Sequence, residues 1–87
     1  MNDADRALTK AIGERLRAAR HARGLSLSAL AALTDGLYSK SRISNYEQGL
    51  RRLNSEGAEV LAAALGNVTA AQLLGLDEED ATAGSEQ

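Results

Sequence analysis

One short stretch gathers hydrogen-bonding side chains at helical spacing. In Ser39-Lys-Ser-Arg-Ile-Ser-Asn-Tyr-Glu-Gln-Gly49, the spacing puts Lys40, Ser41, Ser44 and Asn45 on one side of a helix, with Arg42 flanking them. Ile43 and Tyr46, three apart, share the opposite side. Lys, Arg, Ser and Asn can hydrogen-bond base edges and phosphates in a major groove. A solvated surface helix has the same composition, so the stretch by itself leaves both readings open. Its ends are marked: Ser39 supplies a hydroxyl N-cap, and Gly49 stands where a helix C-terminus favours positive φ.

The rest of the chain must position that face. Its 87 residues suffice for one small domain with one core. With no Phe, no Trp, no Pro, two Tyr and one Met, that core is built from Leu, Ala, Ile and Val in packed helices. The chain contains no Cys, so neither a disulfide framework nor a thiolate zinc site can form, and His21 alone cannot make a histidine metal cluster. No nucleophile and base pair, metal cluster or glycine-rich phosphate loop stands out, so neither an enzyme nor a cofactor is expected. The start Met-Asn-Asp-Ala-Asp has no basic residue and no apolar run. With no apolar stretch near the ~18 residues of a membrane span, a cytoplasmic protein is expected.

Net charge is −2, which taken alone disfavours a polyanionic partner, but the distribution reverses that inference. Between Lys10 and Ser55 stand nine Lys or Arg against three acids, whereas residues 77–87 hold five acids and no base. The chain is polarised into a basic body and an acidic tail.

Taken in order, Leu8, Ile12, Leu16 and Ala19 form a helical stripe that ends near Arg23-Gly24. Ser26 caps a second helix to about Thr34, with Leu27, Leu30, Ala31 and Thr34 on one side and Leu33 widening the apolar face. Asp35-Gly36 breaks it, and the helix from Ser39 follows. After Arg51-Arg52, Asn54 caps a fourth helix with Ala58, Leu61, Ala62 and Leu65 on its buried edge. Thr69 with Gln72 makes a capping-box pattern that opens a fifth, burying Leu73, Leu74 and Leu76. The predicted architecture is all-α, with a domain over 1–76 and a tail over 77–87 too polar to fold.

Five short helices whose third is basic and follows the second after a turn make a helix-turn-helix. From about Ile12 to Gly75, some three quarters of the chain, the sequence resembles the lambda-repressor and Cro family of DNA-binding domains, the xenobiotic response element group of bacterial and phage regulators. The resemblance is carried by Ile12-Gly-Glu-Arg-Leu-Arg-Ala-Ala-Arg20, Arg23-Gly-Leu-Ser26, Leu30-Ala31, Ser41-Arg-Ile-Ser-Asn-Tyr-Glu-Gln-Gly49 and Leu61-Ala-Ala-Ala-Leu-Gly66. It implies a five-helix, lambda-repressor-like fold and makes the helix from Ser39 the recognition helix.

Lys40, Ser41 and Asn45 fall where the family contacts bases, and the flanking Arg42 and Ser44 are expected on bases with them, within reach of phosphates as well. Ser26, Ser39, Arg51 and Arg52 are expected on phosphates, the two arginines having no acidic neighbour in sequence. Arg20 and Glu47 match an ion pair that ties the first helix to the third. Tyr46 is expected in the core with its hydroxyl at the rim. Two departures stand out: Leu27 replaces a common glutamine that grips phosphate, and the turn from Thr34 to Ser39 is about two residues longer than in most relatives, which could tilt the recognition helix. The resemblance implies a sequence-specific transcriptional regulator, a repressor, that binds double-stranded DNA as a homodimer on a two-fold operator, with helices four and five as the contact surface. The alternatives are an antitoxin or restriction-controller type regulator that also binds a partner protein, a chain continuing into a C-terminal sensor domain, and a protein-interaction module without DNA binding.

Overall fold

The computed structural model describes residues 2–76, and the acidic stretch 77–87 lies outside the described residues. The elements are α1 (Asp3–Ala22), α2 (Leu27–Leu33), α3 (Lys40–Glu47), α4 (Ser55–Leu65) and α5 (Ala70–Leu74). No strand occurs among the described residues, and none of their helices is long and apolar enough to cross a membrane.

Each helix starts where a short polar side chain can accept a free amide. Ser26 accepts from Ala29, Ser39 from Arg42 and Asn54 from Gly57, at 3.0, 3.1 and 2.8 Å. Thr69 and Gln72 form the reciprocal capping box at 3.0 and 2.8 Å. Asn2 caps α1 in the same way, through the amide of Asp5.

The core is one cluster centred on Leu16 of α1, Ile43 of α3 and Leu61 and Leu65 of α4, all fully buried. Leu30 of α2 and Leu73 of α5 belong to it as well. Three leucines expected inside are at the surface: Leu8, Leu33 and Leu76 are 38, 47 and 49% exposed. In α1 the reason is phase. Thr9 stands seven residues, two whole turns, before Leu16, so it takes the centre of the buried stripe at 1% exposure and leaves Leu8 on the flank.

The backbones of α1 and α3 touch. A Cβ on Gly13 would lie 2.2 Å from the carbonyl oxygen of Tyr46 and 2.8 Å from that of Glu47, so only glycine permits this crossing. Between α2 and α3 the chain turns through Asp35 (φ +56°) and Gly36 (φ +80°). Aspartate is among the few residues that tolerate this left-handed conformation. The turn is pinned by the buried Thr34, whose hydroxyl accepts the amide of Tyr38 at 3.1 Å and donates to the Ala31 carbonyl at 2.7 Å.

Candidate nucleic-acid interface

Helix α3 is divided lengthwise. Ile43 and Tyr46, 0 and 4% exposed, face the core, while Lys40 and Ser41 are exposed and Ser44 and Asn45 half-buried on the outer side. Ser41 and Asn45 stand one turn apart in one row, and Lys40, Ser44 and Gln48 in the next. Gln48 donates to the Ser44 hydroxyl at 2.7 Å. It belongs to this outer surface although no sequence signal singled it out. The four-residue spacing from Lys40 through Ser44 is the signal that could have found it.

The orientation of α3 is fixed by a forked pair. Arg20 Nε donates to Glu47 Oε2 at 2.7 Å and Nη2 to Oε1 at 2.9 Å, and Nη1 reaches the Leu25 carbonyl at 2.8 Å. Both side chains are nearly buried, at 10 and 6% exposure. The hydrogen bond to Glu47 raises the Arg20 pKa above its ordinary value against the opposing effect of burial. One guanidinium thereby joins α1, the connector to α2, and α3. Such a pair fixes geometry more than it adds net stability. A second arginine, Arg23, donates to the Leu65 carbonyl at the end of α4, where a cation complements the helix dipole.

The residues expected on phosphates stand at the N-caps of α2 and α3 and on the connector after α3. Arg51 and Arg52 are exposed on the connector after α3. Arg52 has an acidic neighbour after all: its Nη1 is 4.0 Å from Asp5 Oδ1 on α1, a contact invisible to local spacing. Both side chains are about half exposed, so this pair contributes little. Ser26 and Ser39 use their hydroxyl oxygens as cap acceptors, which leaves each O–H able to donate outward. Leu27 is half-buried beside a notch of about 370 Å³ whose walls also include Arg17, Ser44 and Gln48. Its apolar side chain offers no donor there.

Arg42 does not extend from the helix as its neighbours do. Its Nε donates to the Tyr46 hydroxyl at 3.0 Å, one turn further along α3. The guanidinium carbon lies 5.1 Å from the centre of the Tyr38 ring and 6.0 Å from that of Tyr46, within the range of cation–π attraction. The two rings meet edge to face, 6.0 Å apart at 84°.

An all-α body, a short helix entered through a turn, one edge of that helix locked into the core and the other left polar, with arginines at its exit, are what a helix needs to lie in a groove. Residues 11–83 match the family described as the helix-turn-helix domain. Neither the curated proteins nor the solved structures gave a match to the chain. The family match spans well over half the sequence, and this domain type binds DNA and is typically non-enzymatic. The chain belongs to the helix-turn-helix domain family, of the Cro-like, xenobiotic response element type.

Proposed function

We propose that the protein is a sequence-specific transcriptional regulator that recognises double-stranded DNA through the outer edge of α3 and acts as a homodimer on a two-fold operator, repressing by occupancy. The observation that carries this reading is the division of α3. Its inner edge is held by the Arg20–Glu47 fork and by Ile43 and Tyr46, while Lys40, Ser41 and Asn45 on the outer edge make no side-chain bond among the described residues. Lys40 can donate to guanine O6 and N7, Asn45 can pair with adenine through two hydrogen bonds, and Ser41 and Ser44 can serve either base. Ser26 and Ser39 at the N-caps of α2 and α3, and Arg51 and Arg52 after α3, supply donors and charge suited to the sugar-phosphate backbone, which sets register rather than sequence.

Two copies are needed on informational grounds. One recognition helix reads only about four or five base pairs, too few to single out a site in a genome. The outer faces of α4 and α5 are the contact surface we assign to the dimer. Selection of bound fragments from random DNA, followed by sequencing, tests the reading: recovered sites should show inverted symmetry with half-site centres about one helical turn apart. Enriched sites without inverted symmetry would eliminate the dimer, and no enrichment would eliminate sequence-specific binding.

A further inference from the structure

Arg42 is a cation on α3 whose guanidinium, among the described residues, is held by two tyrosines and no carboxylate. Tyr38 and Tyr46 form two walls of an open corner, and Arg42 lies across both, its Nε bonded to the Tyr46 hydroxyl. The walls are themselves fixed. Tyr46 is a core residue at 4% exposure. Tyr38 is tied by its amide to the buried Thr34, and its hydroxyl reaches the first turn of α4, 3.2 Å from where a Gly57 Cβ would stand. The corner thus draws on the turn, the core and α4 together.

Two consequences follow for the arginine. Among the described residues no carboxylate pairs with its charge: its polar partner is a tyrosine hydroxyl, and that hydrogen bond raises its pKa above the ordinary arginine value. Its two terminal nitrogens meet no protein acceptor among the described residues, so its outer donors stay available. A fixed, planar, fully charged donor fork matches the geometry of a phosphate. It is poorly placed to read a base, which requires an arm extended from the helix into the groove. Arg42 instead runs along the helix toward a residue four positions on.

Resting on the DNA-binding reading above, we propose that Arg42 is a preorganised clamp for one phosphate of the duplex backbone and that Tyr38, delivered by the long turn between α2 and α3, is its positioning residue. The pair sets where α3 sits in the groove. Ordering a long side chain on binding ordinarily lowers affinity roughly two- to tenfold, and the tyrosine corner removes that loss in advance.

The test uses the full chain and fluorescence anisotropy on a selected duplex and its scrambled counterpart across a salt series. Arg42→Gln should weaken both duplexes by a similar factor, roughly five- to tenfold near 0.1 M salt, and lower the slope of log affinity against log salt by about one. Tyr38→Leu should weaken both roughly two- to tenfold with the slope unchanged, since the charge remains, and Tyr38→Phe should restore most of the affinity. If Tyr38→Leu does not fold, Tyr46→Phe removes only the acceptor of Nε and should give the same loss at constant slope. Relaxed preference at one base pair in Arg42→Gln would make Arg42 a base reader and overturn the clamp, as would unchanged affinity and slope. In the DNA-free protein, the Arg42 Nε–H resonance should be displaced by the ring currents, apart from those of Arg51 and Arg52. Coincidence with them overturns preorganisation even if DNA binding stands, whereas a chain that binds neither duplex overturns the DNA-binding reading and the clamp with it.

Discussion

Single side chains on and beside α3 are expected to divide into those that tell sequences apart and those that only hold the duplex. Lys40 and Asn45, on the outer edge, carry no intramolecular side-chain bond among the described residues, so removing them leaves the fold intact. Lys40→Ala or Asn45→Ala should weaken the selected site by about 1–3 kcal/mol and scarcely change binding to scrambled DNA. Arg51→Ala and Arg52→Ala should weaken both alike and each lower the salt slope by about one. The long, exposed contact from Arg52 to Asp5 is too weak to alter that expectation. Anisotropy on matched duplexes separates the two groups. If Asn45→Ala lowered both affinities equally while Arg52→Ala relaxed base preference, α3 would lie in the groove the other way round.

The placement of α3 on α1 rests on the Arg20–Glu47 fork and the Gly13 crossing. Arg20→Met and Glu47→Leu should each destabilise by about 1–3 kcal/mol, because each strands a nearly buried charge. The double variant should recover part of that loss, and strictly additive losses in urea unfolding would show that the two do not act as a pair. Gly13→Ala offers a cleaner probe of the α1–α3 crossing. Alanine favours a helix by up to about 1 kcal/mol over glycine, yet here its methyl would strike two backbone carbonyls. A net loss of roughly 1–3 kcal/mol in urea unfolding is expected, and a gain would mean that the helices can part.

These elements also show what could be read in advance. Ser26, Ser39, Asn54 and Thr69 were legible as helix starts because each cap and its partner lie within three residues. Gly13 was not, since a glycine inside a helical pattern reveals its purpose only when another backbone arrives from more than thirty residues away. Arg42 misleads for a related reason. Its spacing assigns it to the polar side of α3, but its long arm follows Tyr38 and the Tyr46 hydroxyl, and no periodic rule records that choice. The Asp5 contact of Arg52 escaped detection because it bridges two distant parts of the chain.

At the scale of the whole molecule, charge is the organising asymmetry. The body between Lys10 and Ser55 carries nine basic residues and three acidic ones, and residues 77–87 carry five acids. Deleting 77–87 should strengthen DNA binding mainly at low salt, where unscreened acids compete with the duplex for the basic face, and leave the melting temperature almost unchanged. Equal affinity at low ionic strength would reduce the tail to a solubilising segment. The glycine crossing of α1 and α3 has a consequence at this scale too. Two fixed points on α1, the backbone contact at Gly13 and the Arg20–Glu47 fork, leave the recognition helix little slack with which to adjust its tilt. The adapting must then be done by the nucleic acid. Sites whose untouched flanking or central steps kink easily, such as TA or CA, should be bound more tightly than sites with stiff A-tracts at the same positions. The protein would discriminate among sequences it never contacts, using its own stiffness as the gauge.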